Sequence, residues 1–171
     1  PGGVSALRFD AAGEIVDGYG ITTDLLTRIN CGGGVTPWKT WMSGEEYDLG
    51  LIWECDPWGV EAASPLPALG MFSHEATAVD PATNFVYLTE DKGDGRFYRF
   101  VPDTPNVGAR PDLASGRLQV MRVLDEVVSQ PGRFAPVAVD WLDVPNPNPI
   151  DLSLVPLTPV TDLLAAIDGS L

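Results

Sequence analysis

The sequence predicts an all-β fold of the propeller or sandwich type, built from short antiparallel strands. β-branched and aromatic residues fill short runs that recur at about ten-residue spacing, which is typical of sandwiches and propellers. Clusters of Gly, Pro, Asn and Asp separate these runs and supply the chemistry of tight turns. One hairpin design also occurs twice, at residues 30–57 and 72–103, which indicates an internal repeat.

The first two thirds of the chain alternate strand-like runs with turns and connections. Residues 30–37 are predicted to form a glycine-rich loop, and residues 56–70 a connection rich in Pro and Gly. Hairpin turns are predicted at residues 80–84 and 92–95. The predicted strands are residues 4–10, 15–21, 38–43, 50–55, 75–79, 85–89 and 96–101.

The chain changes character after Asp103. Further strands are predicted at residues 116–124 and 134–142. Residues 145–149 alternate Pro with Asn, and because alternate residues lack an N–H, they can form neither a helix nor a central strand. We expect a stiff surface loop there. Residues 161–169 are predicted to form a short C-terminal helix that ends at its glycine.

The strand count predicts an incomplete architecture if the fold is a propeller. A closed propeller needs at least about four blades of four strands each. The predicted strands supply about two to three blades' worth of antiparallel sheet. We therefore expect residues 1–171 to form one partial β-propeller domain.

The acidity of the chain limits its partners. Its formal net charge is −14, and its 10 Lys and Arg residues are scattered along the sequence. Binding to nucleic acids or to anionic membranes relies on clustered basic residues, so we expect neither partner. No apolar run reaches the roughly 18 residues of a transmembrane helix. A phosphate ester is itself an anion and would bind only where cations neutralise the site.

The two cysteines, Cys31 and Cys55, are too few for a disulfide framework. A single bridge between them would be compatible with an exported protein. Cys55 lies in an apolar strand and is expected to be a buried thiol. Cys31 precedes three glycines and is expected to be the more exposed of the two.

Carboxylates end the same strand of each repeated hairpin. Alignment of Ser43 with Thr89 places Glu45 in phase with Asp91. Carboxylates gathered without a cation repel one another, and their oxygens are the ligands of hard cations such as Ca²⁺. The simplest alternative is a pair of solvated acidic turns. The candidate metal ligands are Glu45, Glu46, Glu75, Glu90 and Asp91.

The sequence contains one histidine, His74, beside the candidate ligand Glu75. Neutral imidazole binds transition metals, but a lone histidine more often orients its neighbours at a strand edge. No residue is a convincing protein nucleophile, so the catalytic residues are not assigned. The hydroxyls of Ser43 and Thr89 are expected to form hydrogen bonds to the carboxylates.

Several strings of the repeated hairpins resemble one enzyme family. They are NCGGG at 30–34, TPW at 36–38, EE at 45–46, FSHEA at 72–76 and VYLTED at 86–91. These strings are similar to those of the PhoX-type alkaline phosphatases and their bacterial relatives, densely over residues 30–103 and more loosely to residue 171. The resemblance implies a β-propeller hydrolase of phosphate monoesters with a calcium and iron cluster, exported to the periplasm or the extracellular space.

Two positions depart from the family pattern. In the phosphatases, a cysteine directly before the paired glutamates supplies a thiolate to iron, whereas this chain has Gly44. Lys39 stands where the pattern has glycine. The resemblance therefore implies Ca²⁺ more strongly than Fe³⁺. The alternatives are a calcium-stabilised propeller that binds a ligand or partner without catalysis, and a different esterase or lactonase on a calcium propeller.

Overall fold

The computed structural model describes residues 2–22, 27–124 and 138–145. Within these residues the chain is all-β and forms three antiparallel sheets, as expected for part of a propeller-like fold. No helix in the described part is long and apolar enough to cross a membrane. The helix predicted at 161–169 and all but the first residue of the predicted loop at 145–149 lie outside the described residues.

The first sheet is a hairpin of two strands. Its strands pair antiparallel, with Phe9 opposite Ile15 next to the turn. The hydroxyl of Tyr19 donates a hydrogen bond of 2.6 Å to the carbonyl of Pro57, which holds the hairpin against the second sheet. The strands are β1 (Val4–Phe9) and β2 (Ile15–Thr22).

The second and third sheets are meanders in which consecutive strands are neighbours. A 3-10 helix at Pro67–Leu69 connects them. The second sheet contains β3 (Asn30–Val35), β4 (Trp41–Glu45), β5 (Ile52–Cys55) and β6 (Ser64–Pro65). The third contains β7 (His74–Val79), β8 (Val86–Glu90), β9 (Phe97–Pro102), β10 (Gly116–Val123) and β11 (Val139–Asp143).

The hydrophobic core lies between the two meanders. Met42 and Ile52 of the second sheet belong to the same buried cluster as Leu88, Tyr98 and Phe100 of the third. All five side chains have no exposed surface, so burial of this apolar area is the main stabilising contribution. Two meanders packed face to face are the arrangement of adjacent propeller blades.

A buried carboxylate links the two meanders at another point. Glu54 of β5 accepts hydrogen bonds of 2.7 Å from the indole of Trp38 and the hydroxyl of Thr40. It also forms an ion pair with Arg110, which lies between β9 and β10. Because the Glu54 side chain is 3% exposed, these partners compensate for the cost of burying its charge.

The predicted glycine-rich loop at 30–37 is wrong, because Asn30–Val35 forms strand β3. The glycines permit a close approach between this strand and β7. A Cβ atom on Gly32 would lie 2.1 Å from the carbonyl oxygen of Glu75, and one on Gly34 would lie 2.2 Å from that of Thr77. The glycines therefore allow the contact between two sheets rather than a flexible connection.

The turn between β3 and β4 explains the glycine of the family pattern at position 39. Lys39 has φ 72°, in the left-handed region that glycine adopts without a steric penalty. The backbone N–H of Lys39 donates to the carbonyl of Thr36, which closes the turn. The departure at this position therefore concerns backbone strain and not a missing side-chain function.

Candidate metal centre

The turns that follow β4 and β8 share one hydrogen-bonding pattern. The N–H of Glu45 donates to the carbonyl of Leu51, and the N–H of Leu51 donates to the carboxylate of Glu45, both at 3.0 Å. Glu90 and Arg96 do the same, at 3.2 and 3.1 Å. In both turns a carboxylate oxygen accepts from the residue six positions later.

A glycine closes each of these turns. A Cβ atom on Gly50 would lie 2.1 Å from the carbonyl oxygen of Glu45, and one on Gly95 would lie 2.4 Å from that of Glu90. Both glycines stand five residues after their glutamate in the sequence. The repeated unit is therefore acid, acid, three residues and glycine, at 45–50 and at 90–95.

This pattern sets the correspondence between the repeats. Glu45 is equivalent to Glu90, and Glu46 is equivalent to Asp91. The alignment expected from the sequence, with Glu45 in phase with Asp91, is shifted by one residue. The alignment from the sequence matches the hydroxyl residues of the two strands. The geometry that the two repeats share depends instead on how the turns close.

The strands that pair with β4 and β8 contain matching bulges. Asn30 lies opposite Glu45 and His74 lies opposite Glu90, and one extra residue interrupts each ladder immediately afterwards. A β-bulge changes the direction of a side chain and often occurs beside a functional site. The residues that follow Asn30 and His74 are Cys31 and Glu75, so these two positions are also equivalent.

The four residues placed by these bulges and turns converge. One donor atom each from Cys31, Glu46 and Glu75 lies within 4.8 Å of the others. The thiol of Cys31 donates to Oε1 of Glu75 at 3.7 Å. Glu46 shares a side-chain hydrogen bond with Asp91. We call these four residues, two from each meander, the acid–thiol cluster.

The protonation of the cluster reflects the proximity of its acids. The hydrogen bond shared with Asp91 raises the pKa of the Glu46 carboxyl above its usual value. Partial desolvation raises the pKa of the Cys31 thiol, and the nearby carboxylates of Glu46 and Glu75 raise it further, against a backbone hydrogen bond at Gly32. Both shifts share one physical contribution, because neighbouring carboxylates disfavour a further negative charge in the cluster.

The carboxylates of Glu45 and Glu90 have other partners. Glu45 is 3% exposed, and its two oxygens accept backbone N–H groups of Arg28 and Leu51. Glu90 accepts from the Tyr98 hydroxyl at 3.0 Å in addition to its turn. A metal-ligand role for Glu45 and Glu90 stays a prediction. In the structure their carboxylates accept hydrogen bonds that close the two turns.

His74 occupies the space beside Gly44. A Cβ atom on Gly44 would lie 2.9 Å from the Cβ of His74 and 3.2 Å from its carbonyl oxygen. His74 is fully buried, its Nε2–H donates a hydrogen bond of 3.2 Å to the carbonyl of Gly70, and its ring packs against that of Phe72. Burial lowers the pKa of His74 to about 3, so the imidazole is neutral at physiological pH.

Cys31 is the member of the cluster that sequence reasoning did not identify as a ligand. The signal was present, because Cys31 follows Asn30 as Glu75 follows His74 in the repeat. Both cysteines are free thiols, so the bridge considered from the sequence is absent from the described residues. Cys31 is exposed and Cys55 is buried, as expected, and burial raises the pKa of Cys55 to about 11.

Comparison with known proteins identifies one family. The family described as Alkaline phosphatase PhoX matches residues 47–166 of the chain. Glu75 and Asp91 lie within the matched range, and Cys31 and Glu46 precede it. No curated protein and no solved structure matches the chain significantly.

Proposed function

The chain belongs to the alkaline phosphatase PhoX family, and we propose that the acid–thiol cluster binds a cation and hydrolyses phosphate monoesters. The observation that carries the proposal is the convergence of three carboxylates and one thiol from two sheets. Like charges this close are unfavourable unless protons or a cation offset them. In a protein of net charge −14, an anionic substrate also needs that cation.

The donor set fits the metals that the resemblance implies. The carboxylates of Glu46, Glu75 and Asp91 offer hard oxygen ligands for Ca²⁺. A thiolate suits iron better than calcium, and Cys31 is the sulfur donor of the cluster. Position 44 offers no side chain, so any thiolate ligand to Fe³⁺ would come from β3 and not from β4.

The chain's own residues would act by placing charge and protons. When bound, a cation would offset the charge of the phosphate and polarise a phosphoryl oxygen. Glu46 and Asp91 would offer deprotonated carboxylate oxygens to the cation. The buried Glu45 and the half-buried Glu90 would hold both turns, and therefore Glu46 and Asp91, in a fixed arrangement. The family context favours a periplasmic or extracellular location.

Hydrolysis of p-nitrophenyl phosphate by the protein, purified without metal, tests the proposal. We expect turnover that requires Ca²⁺, alone or with iron, and that Glu75→Gln and Asp91→Asn each abolish. Asp94→Asn is the matched control, because Asp94 is an exposed carboxylate of the same turn and outside the cluster. Equal losses in Asp94→Asn and Asp91→Asn would contradict the assignment of the site.

A second function has one observation in its favour, namely the absence of a side chain at position 44. Under this alternative, the cluster binds Ca²⁺ and stabilises a module that recognises a ligand without catalysis. The two functions give different results in the same preparation. A melting temperature that rises with Ca²⁺ while no metal supports turnover would favour the binding module.

A further inference from the structure

We propose that the ion pair between Asp48 and Lys92 positions the two halves of the acid–thiol cluster and thereby sets its affinity for a cation. This inference rests on the proposed function, because it concerns the geometry of the same cation site. It assigns a role to two residues that donate no ligand. Asp48 and Lys92 are positioning residues, and neither is a catalytic residue.

The pair joins the two equivalent turns. Asp48 lies two residues after Glu46, in the turn that follows β4. Lys92 directly follows Asp91, in the turn after β8. The side chains are 60% and 35% exposed, and the ammonium of Lys92 both donates to and pairs with the Asp48 carboxylate. The contact therefore connects a tip of the second sheet to a tip of the third.

The backbone attaches each acid to its own sheet. The N–H of Glu46 donates a hydrogen bond of 2.9 Å to the carbonyl of Ile29, just before β3. The N–H of Asp91 donates a hydrogen bond of 2.9 Å to the carbonyl of Ser73, just before β7. These bonds leave the distance between the two acids dependent on how closely the two turns approach each other, and the ion pair acts on that approach.

The pair lies among several other acidic side chains. The acids that face Lys92 are Asp48, which raises its pKa most, and then Glu90 and Asp94. The carboxylates of Glu46 and Asp91 lie on either side of the same junction. The hydrogen bond between Glu46 and Asp91 also joins the turns, and the ammonium of Lys92 offsets the repulsion among the surrounding carboxylates.

Two single substitutions separate positioning from a simple effect of charge. Asp48→Asn removes a negative charge near the cation, and Lys92→Met removes a positive one. If only the electrostatic field mattered, the first would weaken Ca²⁺ binding and the second would strengthen it. If the pair positions the cluster, both weaken binding, because both break the same link between the turns.

Calorimetric titration of the metal-free chain with Ca²⁺ measures the difference. We expect each single substitution to weaken Ca²⁺ binding roughly two- to five-fold, the range that an exposed ion pair supplies. The charge-reversed double variant, Asp48→Lys with Lys92→Asp, should recover most of the lost affinity. Arg8→Met is the control, because it breaks an exposed pair with Asp17 on the β1–β2 hairpin, and its Ca²⁺ affinity should stay at the wild-type value.

Opposite effects of the two single substitutions, or no effect of either, would overturn the positioning role while leaving the cation site in place. Ca²⁺ affinity unchanged by Lys92→Met with a raised KM for p-nitrophenyl phosphate would also overturn it and make Lys92 a substrate contact. Failure of the wild-type chain to bind Ca²⁺ would overturn the cation site and this role with it.

Discussion

A side chain at position 44 should destabilise the protein and should not restore an iron ligand. The Cβ atom of Gly44→Cys or Gly44→Ala would lie 2.9 Å from the Cβ of His74, inside the normal contact distance. His74 cannot move aside easily, because it is fully buried and its ring centroid lies 3.8 Å from that of Phe72. Overpacking of a core costs about 1–3 kcal/mol.

Replacement of glycine also restricts the unfolded chain, which stabilises the folded protein by about 0.4–1 kcal/mol and offsets part of this cost. The net loss in the free energy of unfolding is therefore at most about 2.6 kcal/mol and about 1.3 kcal/mol at the middle of both ranges, which lowers the melting temperature by roughly 3–5 °C in a chain of this size. Urea titration and thermal melting of Gly44→Ala measure both quantities. Gly93→Ala is the control, because a Cβ atom there meets nothing within 4 Å.

The iron prediction is measured with Gly44→Cys in the presence and absence of Cys31→Ser. We expect the thiolate charge-transfer absorption with Fe³⁺ to depend on Cys31 and to be lost in the double variant. Wild-type stability of Gly44→Cys together with Fe³⁺ absorption that survives Cys31→Ser would refute the steric argument.

Three further predictions concern the turns and the buried histidine. Lys39→Gly should stabilise the protein by about 1 kcal/mol in urea titration, because it relieves the left-handed backbone at φ 72°. His74→Gln should make the free energy of unfolding less dependent on pH in the acid range. The unfolded chain protonates His74 near its usual pKa of 6.5 but the folded chain only at about 3, so stability is present above 6.5 and falls as the pH is lowered. This residue alone removes roughly 2–3 kcal/mol at about pH 4.5, and an unchanged profile would contradict its burial as a neutral group. Glu45→Gln should cost about 2–3 kcal/mol in the metal-free protein, because a buried carboxylate accepts two backbone N–H groups there. Glu46→Gln should change that stability by less than about 0.5 kcal/mol and remove the stabilisation by Ca²⁺, and the reverse ranking in thermal melts would exchange their roles.

Most strands of the fold could be predicted from local sequence. The hairpin at 75–79 and 85–89 is observed as His74–Val79 and Val86–Glu90, because alternation and turn residues act over a few positions. Strand β3 could not be predicted in this way. Its three glycines lower its intrinsic preference for a strand. Contact with β7 in the folded chain explains Gly32 and Gly34, and close approach to β4 explains Gly33.

The candidate site was predicted in part. Glu46, Glu75 and Asp91 were identified from the clustering of acids at strand ends, and the structure brings them together. Glu45 could not be distinguished from Glu46 by residue type, since the distinction depends on which carboxylate closes the turn. The equivalence of Cys31 with Glu75 follows from the repeat only once the bulges after Asn30 and His74 set the correspondence between the two hairpins.

The equivalence of the two hairpins bears on how such a centre can evolve. Each hairpin contributes to the acid–thiol cluster one residue from its bulge and one from the first position after its second strand. Duplication of a single hairpin segment would therefore copy half of the acid–thiol cluster together with the fold that supports it. The copies here differ at the bulge, with sulfur at Cys31 and oxygen at Glu75. Divergence at that one position exchanges a hard oxygen for a soft sulfur without any change in architecture.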